Sequence, residues 1–308
     1  MDLAAVPQHA WRIRGLSKGK RARRFSPSLI VGSLIILAFL VAAIAAPLLA
    51  PGQGEIPGIM PRYGNGSQPE PPGPGHPLGL MPAKYDVLQG LIWGARLAII
   101  LGVVVTAGRV LIGVVLGVLS GYFGGLVDAV LMRLTDAFLA FPIIVAAMVG
   151  LVILPLDDAQ VVILAFVLFG WMPYARLIRG NVLSAREKEY MVSAKAVGLP
   201  KWRAIFRHLL PNATQGLSAL LTSDIGGVIV LYAAFTFIGL IGTYSGTLME
   251  VNWAQMLEQA RDWIIGGPDK PFQYWYTYLP VSLAIVLFSV GWNLVGDGLQ
   301  DVLDPRLR

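Results

Sequence analysis

The chain has 308 residues, 56% of them hydrophobic and only 14% charged, with a mean hydropathy of +0.66. Soluble globular domains run near 25% charged, so this chain lacks the polar exterior that keeps a globule dissolved and is read as a membrane protein. The absence of Cys excludes disulfide scaffolds, thiolate metal sites and Cys nucleophiles, and the net charge of +6 is placed as a topology signal instead of as a nucleic-acid surface.

A bilayer core about 30 Å thick needs roughly 20 apolar residues of helix. Six stretches meet that length, and the fold class expected is an all-α polytopic membrane protein with six transmembrane helices. The first, 28–49, lies in a charge-free run and is too long for a signal-peptide core. The second, 92–122, is interrupted by Arg109. The third, 127–154, is charged only in its first three turns, at Asp128, Arg133 and Asp136. The fourth covers 159–175, the fifth 212–240 with the single charge Asp224, and the sixth 278–295. The chain therefore divides into a basic N-terminal segment (1–27), a first transmembrane helix (28–50), an outer Pro/Gly-rich segment (51–91), a five-helix core (92–300) and a short tail (301–308). The core carries an inner loop at 184–211 and an outer loop at 242–277.

Orientation follows from Lys and Arg placement. With the N-terminus inside, seven fall in the N-terminal segment, eight in the loop from Arg176 to Arg207, and two in the tail, at Arg306 and Arg308. Outer segments hold four: Arg62, Lys84, Arg261 and Lys270. Seventeen against four puts both termini in the cytoplasm. Outside, the Pro71-Pro72-Gly73-Pro74-Gly75 run predicts an extended segment partly ordered against the outer face. The second outer segment collects Trp253, Trp263, Phe272, Tyr274, Trp275 and Tyr276, which suit an interfacial aromatic belt or a ligand-stacking surface.

The informative soluble feature is the loop between the fourth and fifth spans. It reads as two short helices, 184–196 and 201–210, joined by Gly198 and Pro200, where a left-handed residue ends the first helix and proline blocks its continuation. Trp202, Ile205, Phe206 and Leu209 fall at i, i+3, i+4 and i+7, an apolar stripe flanked by Lys201, Arg203 and Arg207. Such a unit either lies flat among headgroups or projects as a rigid knob that can pass force between a soluble partner and the two spans it joins.

The spacing of this loop resembles the EAA loop of permease subunits in binding-protein-dependent ABC importers, which reads Glu-Ala-Ala, three residues, Gly, nine residues, Ile-x-Leu-Pro. Here Val192-Ser193-Ala194 is followed by Gly198 and then His208-Leu209-Leu210-Pro211 at the same intervals. Val192 stands where the family usually has Glu, and His208 replaces Ile, as in the Arg-His-x-Leu-Pro-Asn ending of the peptide-importer branch. Several further motifs are similar to the second permease of dipeptide, oligopeptide or nickel importers. They are His76-Pro77-Leu78-Gly79, Gly94-Ala95-Arg96, Gly121-Tyr122-Phe123-Gly124-Gly125, Tyr174-Ala175-Arg176, Gly296-Asp297-Gly298-Leu299 and the ending Leu303 to Arg308. After His-Pro-Leu-Gly the family's polar Gly-Arg-Asp stretch is matched only by Asp86.

The resemblance implies a type I ABC importer permease fold in a bacterial or archaeal cytoplasmic membrane, forming half of a translocation pore. It implies four kinds of partner: a homologous second permease, two cytoplasmic ATPases, an extracytoplasmic binding protein and the bilayer. Peptides are the cargo it favours, with nickel or another small solute as the alternative. The ATPase-coupling residues it implies are Ser193, Ala194, Gly198, Trp202, Ile205, Phe206, His208, Leu210 and Pro211. No cofactor is expected on this chain: it has no Gly-x-x-x-x-Gly-Lys-Ser/Thr loop, so ATP and Mg belong to the partner ATPases. Its three dispersed His, at 9, 76 and 208, give no metal or catalytic motif. Charges at bilayer depth cost about 2.5–3.5 kcal/mol each on insertion scales, so Asp224 and Arg109 are either pathway residues or a structural pair. A transporter from another class, working without ATPases, would instead show internal repeats with interrupted helices.

Overall fold

A computed structural model describes residues 26–50, 62–196, 198–241, 252–267 and 270–303. Most of the basic N-terminal segment, residues 51–61, residues 242–251 and the tail from 304 lie outside the described residues. The described chain is helical apart from turns, isolated bridges in the outer segment, and a two-residue antiparallel pairing of Gly266–Gly267 with Lys270–Pro271.

The spanning helices are α1 (Pro27–Leu49), α2 (Val87–Phe123), the pair α3 (Gly125–Ala140) and α4 (Ile143–Ile153), the pair α5 (Asp158–Leu168) and α6 (Met172–Arg186), then α10 (Leu217–Phe237) and α12 (Trp275–Leu303). Between α6 and α10 lie α7 (Glu189–Ala196), α8 (Lys201–Arg203), a π-helical turn (Ala204–Leu209) and α9 (Leu210–Ala213). A short helix, α11 (Trp253–Ala260), covers the opposite end of the bundle. Six crossings result when α3 and α4 count as one span, bent by 85°.

Each departure from the expected spans has a local cause. Pro142 disfavours helix at Phe141, which is extended, and so breaks the third span. Pro173 in the first turn of α6 cannot donate to the Phe169 carbonyl, and the fourth span breaks at 169–171 before continuing to Arg186, eleven residues past its expected end. The fifth span starts at Leu217 and not near Asn212, because Gly216 is left-handed (φ 77°). α2 begins at Val87, where the Asp86 side chain caps it by accepting from the Gln89 amide at 2.8 Å.

Packing is set by close backbone approach. Gly113, Gly117 and Gly121 recur every four residues along α2, and a Cβ at each would lie 2.4–2.6 Å from Tyr174, Ala175 or Val182 of α6. This small-residue stripe lets α6, backbone and side chains alike, pack directly on the backbone of α2. The main core gathers α2, α5, α10, α11 and α12, with Phe166, Phe235, Trp253 and Phe288 among its buried rings. Leucine, isoleucine and valine stay exposed along α1, α3, α4 and α12, as expected of surfaces bathed in lipid.

The outer segment is more ordered than an extended linker. Residues 62–86 fold back through bridges pairing Arg62 with Tyr85, Glu70 with Leu80 and Leu80 with Asp86, and bury Leu80, Met81 and Tyr85. Lys84 pairs with Glu70, and Arg62 donates to the Ala83 carbonyl at 3.0 Å.

Candidate functional site

The elbow between α6 and α10 is built from its base upward. Leu209 is fully buried (0% exposed) among Val118, Ile178, Val182, Met191, Ala204 and Ala213. Ile205 and Leu210 are half-buried against that cluster. Pro211 has no N–H for the Arg207 carbonyl, and the chain answers by widening into the π turn that precedes it, where the Leu210 amide reaches back to the Ile205 carbonyl. The carbonyls left over are taken locally: Asn212 donates to His208 at 2.6 Å and Thr214 to Pro211 at 3.0 Å. Asn181 of α6 donates to the carbonyls of Ala213 and Gln215, both at 2.8 Å, closing the end of α9 onto α6.

The other side of the elbow is open. Trp202 is 61% and Phe206 66% exposed, and Arg203 lies over the Trp202 ring with its guanidinium carbon 5.2 Å from the centroid. Pro200, Arg203 and Arg207 are exposed beside them. The apolar stripe read from the sequence therefore divides: Leu209 holds the elbow to the bundle, Ile205 sits at the boundary, and Trp202 and Phe206 project. Gly198 adopts φ 73°, the left-handed turn expected between the two arms. The first arm is not the single helix 184–196. α6 ends at Arg186, a turn intervenes at Glu187 and Lys188, and α7 starts at Glu189. Ser193 is exposed on α7 and Ala194 lies in the same helix; His208 is half-buried and Pro211 exposed.

Polar anchors fix α6 to its neighbours near the elbow. Arg179 makes a two-pronged contact with Asp128, at 2.5 and 2.7 Å, and Ser120 donates to the same carboxylate. Arg176 pairs with Asp136 at 2.5 Å, and Arg186 donates to the Gly121 carbonyl at 2.8 Å. Asp128 thus binds α3 to α6, while the Arg176–Asp136 pair joins the same helices with both side chains exposed.

The two charges inside the spans meet. Arg109 of α2 donates through Nη1 to Asp224 of α10 at 2.6 Å, and through Nε to the Phe166 carbonyl at 2.8 Å. Asp224 also accepts from the Tyr174 hydroxyl of α6 at 2.9 Å and from Thr106 at 3.4 Å. The arginine side chain is 7% exposed and the aspartate 19%.

At the opposite end, the aromatic segment is neither simply a belt nor an open stacking surface. Trp253 is buried, donates to the Leu91 carbonyl at 3.0 Å and packs edge-on to Phe39 and Phe288, with ring centroids 5.4 and 5.8 Å away. Gly94 leaves room for it, since a Cβ there would lie 2.3 Å from the indole. His76 and Asp86, the two motif residues of the outer segment, are joined at 2.8 Å, with the Tyr63 ring edge-on to the imidazole at 4.5 Å.

Sequence reasoning missed Asn181, the Asp128–Arg179 contact and the buried role of Trp253. None of the three left a local signal: Asn181, for one, sits in a stretch of α6 already carrying Arg176, Arg179 and Arg186.

Apolar helices of spanning length, a bent third crossing and an elbow seated on buried apolar residues define an integral, multi-pass membrane protein with the type I importer permease fold. The chain belongs to the binding-protein-dependent transport system inner membrane component family, which it matches over residues 113–308. It is similar to the dipeptide transport system permease protein of Alkalihalophilus pseudofirmus, 32% identical over 97% of this chain and 90% of that one. A glutathione transport system permease of Pectobacterium atrosepticum is 31% identical over 91% of this chain and 87% of its own. The oligopeptide transport system permease of Bacillus subtilis is 30% identical over 91% and 86%. The chain is thus a permease component of a binding-protein-dependent importer, of the kind found in dipeptide and oligopeptide systems.

Proposed function

We propose that this chain forms half of the translocation pathway of an ATP-driven peptide importer. A homologous permease completes the pathway, an extracytoplasmic binding protein delivers the peptide, and two cytoplasmic ATPases, using ATP and Mg, drive the cycle. Relatives named for dipeptide, glutathione and oligopeptide transport support a peptide cargo. The Lys and Arg distribution supports cytoplasmic termini and an elbow on the same side.

The observation that carries the reading is the division of the elbow. Two large aromatic side chains project away from the bundle while the residue one turn on is locked into it. Exposed aromatics beside arginines are the composition of an interface anchor, and Gly198, with the arms on either side of it, sets the angle at which they are offered. An ATPase groove gripping Trp202 and Phe206, with Ser193, Ala194, Ile205, His208, Leu210 and Pro211 shaping the surface around them, would pull on α6 and α10 together. The test is gentle extraction of the assembly through a tag on this chain. Wild type should bring down stoichiometric ATPase, and Trp202→Ala/Phe206→Ala should lose most of it. Equal recovery from both overturns the docking assignment.

A further inference from the structure

Pro173 breaks the fourth span at 169–171, which leaves carbonyls of the last turn of α5 without helical partners inside an apolar span. Arg109 answers that break. Its Nε is held on the Phe166 carbonyl at 2.8 Å, its positive charge sits at the negative end of α5, and its guanidinium lies over the Phe166 ring at 5.9 Å. Gly170 makes the room, for a Cβ there would fall 2.1 Å from Arg109 Nε. The remaining edge of the guanidinium is spent on Asp224, whose second oxygen takes the Tyr174 hydroxyl. One ion pair thereby joins α2, both halves of the broken span, and α10.

The placement matters because α6 and α10 are the helices that enter and leave the elbow. Elsewhere they touch little, and the Tyr174 hydroxyl, within reach of both Asp224 and the Leu220 carbonyl, is their direct polar link. A packed apolar contact would join helices at least as strongly as a buried ion pair, which carries a desolvation penalty. The ion pair adds direction: with the Tyr174 hydroxyl on the same carboxylate, it fixes one rotation of α10 against α6. Asp224 keeps a partly open side, so the pair borders a surface and is not sealed in the core.

We propose that Arg109 and Asp224 are positioning residues of the transport cycle: an intramembrane pin that clamps the break in the fourth span and ties α6 to α10, so that displacement of the elbow moves both helices as one body. This rests on the docking of the elbow by an ATPase. Without the pin, hydrolysis continues but α10 no longer follows α6.

The experiment uses the complete importer assembly in lipid nanodiscs and proteoliposomes, with Asp224→Asn, Tyr174→Phe and the exchange Arg109→Asp/Asp224→Arg. Transport per ATP hydrolysed should fall about tenfold in Asp224→Asn, and by less in Tyr174→Phe, with ATPase recovery and hydrolysis rate retained; the exchange should recover part of the loss. A second readout is independent of cargo. The chain has no Cys, and Gly180 on α6 and Gly227 on α10 both face open space, so spin labels at Gly180→Cys and Gly227→Cys report the spacing of the two helices. That distance should stay single and constant between nucleotide-free and ATP-bound states, and broaden in Asp224→Asn. Unchanged transport per ATP in both single variants overturns the pin, as does loss of transport in step with assembly and hydrolysis, or a label distance indifferent to Asp224→Asn. Absence of ATPase from the wild-type assembly would instead overturn the docking reading, and the label distance would still judge the pin.

Discussion

Asn181 on α6 and Ala213 at the end of α9 are joined by a 2.8 Å hydrogen bond from amide to carbonyl, and the same amide reaches Gln215 at 2.8 Å. One side chain therefore supplies donors to the last carbonyls of the elbow, which no helical N–H can satisfy because Gly216 turns the chain away. Asn181→Ala should leave both carbonyls wanting and lower stability by about 1–2 kcal/mol. Thermal unfolding of the assembly in nanodiscs measures this, and proteolysis within 197–215 should quicken where the elbow loosens. A variant as stable and as resistant as wild type would show that Asn181 does not hold the elbow.

Leu209 and Phe206 lie in one sequence stripe and should behave oppositely. Leu209→Ala empties a fully buried position and should cost about 2–5 kcal/mol of stability. Phe206→Ala removes a ring that is two-thirds exposed, so stability should change by no more than about 0.5 kcal/mol, while ATPase recovery falls. Unfolding midpoints and ATPase recovery, measured on the same preparations, separate the two. A large stability loss in Phe206→Ala would mean that the ring packs on this chain and not on a partner.

The two glycines Gly117 and Gly180 make a matched pair. A Cβ at Gly117 would sit 2.6 Å from the Ala175 carbonyl oxygen, a backbone atom that cannot swing aside, whereas at Gly180 it would meet nothing within 4 Å. Gly117→Ala should therefore destabilise by about 1–3 kcal/mol through overpacking, despite alanine's better helix propensity. Gly180→Ala should gain up to about 1 kcal/mol from that propensity alone. Thermal unfolding of both decides whether the α2–α6 approach is as close as the small-residue stripe requires.

The spans were legible because lipid exposure writes itself into composition: long apolar runs need no periodicity to be seen. The breaks were signalled too, by Pro142 and Pro173, though only knowledge of the fold shows that the first bends its span by 85° while the second leaves α5 and α6 together as one crossing. Gly198 was placed correctly from the helix-ending pattern of Gly-x-Pro. The division of the elbow's stripe was not, because the π turn rotates Phe206 away from Leu209 and a 3.6-residue period cannot anticipate it. Arg109 and Asp224 each advertised a need for a partner by being charged at depth. They stand 115 residues apart, and nothing local in the sequence matches one to the other. Trp253 was harder still, since its burial depends on the notch at Gly94 in a different helix.

Asp86 serves two neighbours at once in the outer segment. Its Oδ1 caps the first turn of α2 through the Gln89 amide, and its Oδ2 holds His76, both at 2.8 Å, so the start of α2 and the fold of 62–86 depend on one carboxylate. Asp86→Ala removes the cap and leaves the imidazole without that contact, and should cost about 1–2 kcal/mol. Asp86→Asn keeps a good capping oxygen and an amide facing His76 but no charge, so it should retain most of the stability. Limited proteolysis of residues 62–86 on intact proteoliposomes reads the difference: fast cleavage in the alanine variant and near wild-type resistance in the asparagine variant. Equal protection in both would mean that the bridges from Arg62 to Tyr85 and from Glu70 to Leu80 hold the segment without Asp86.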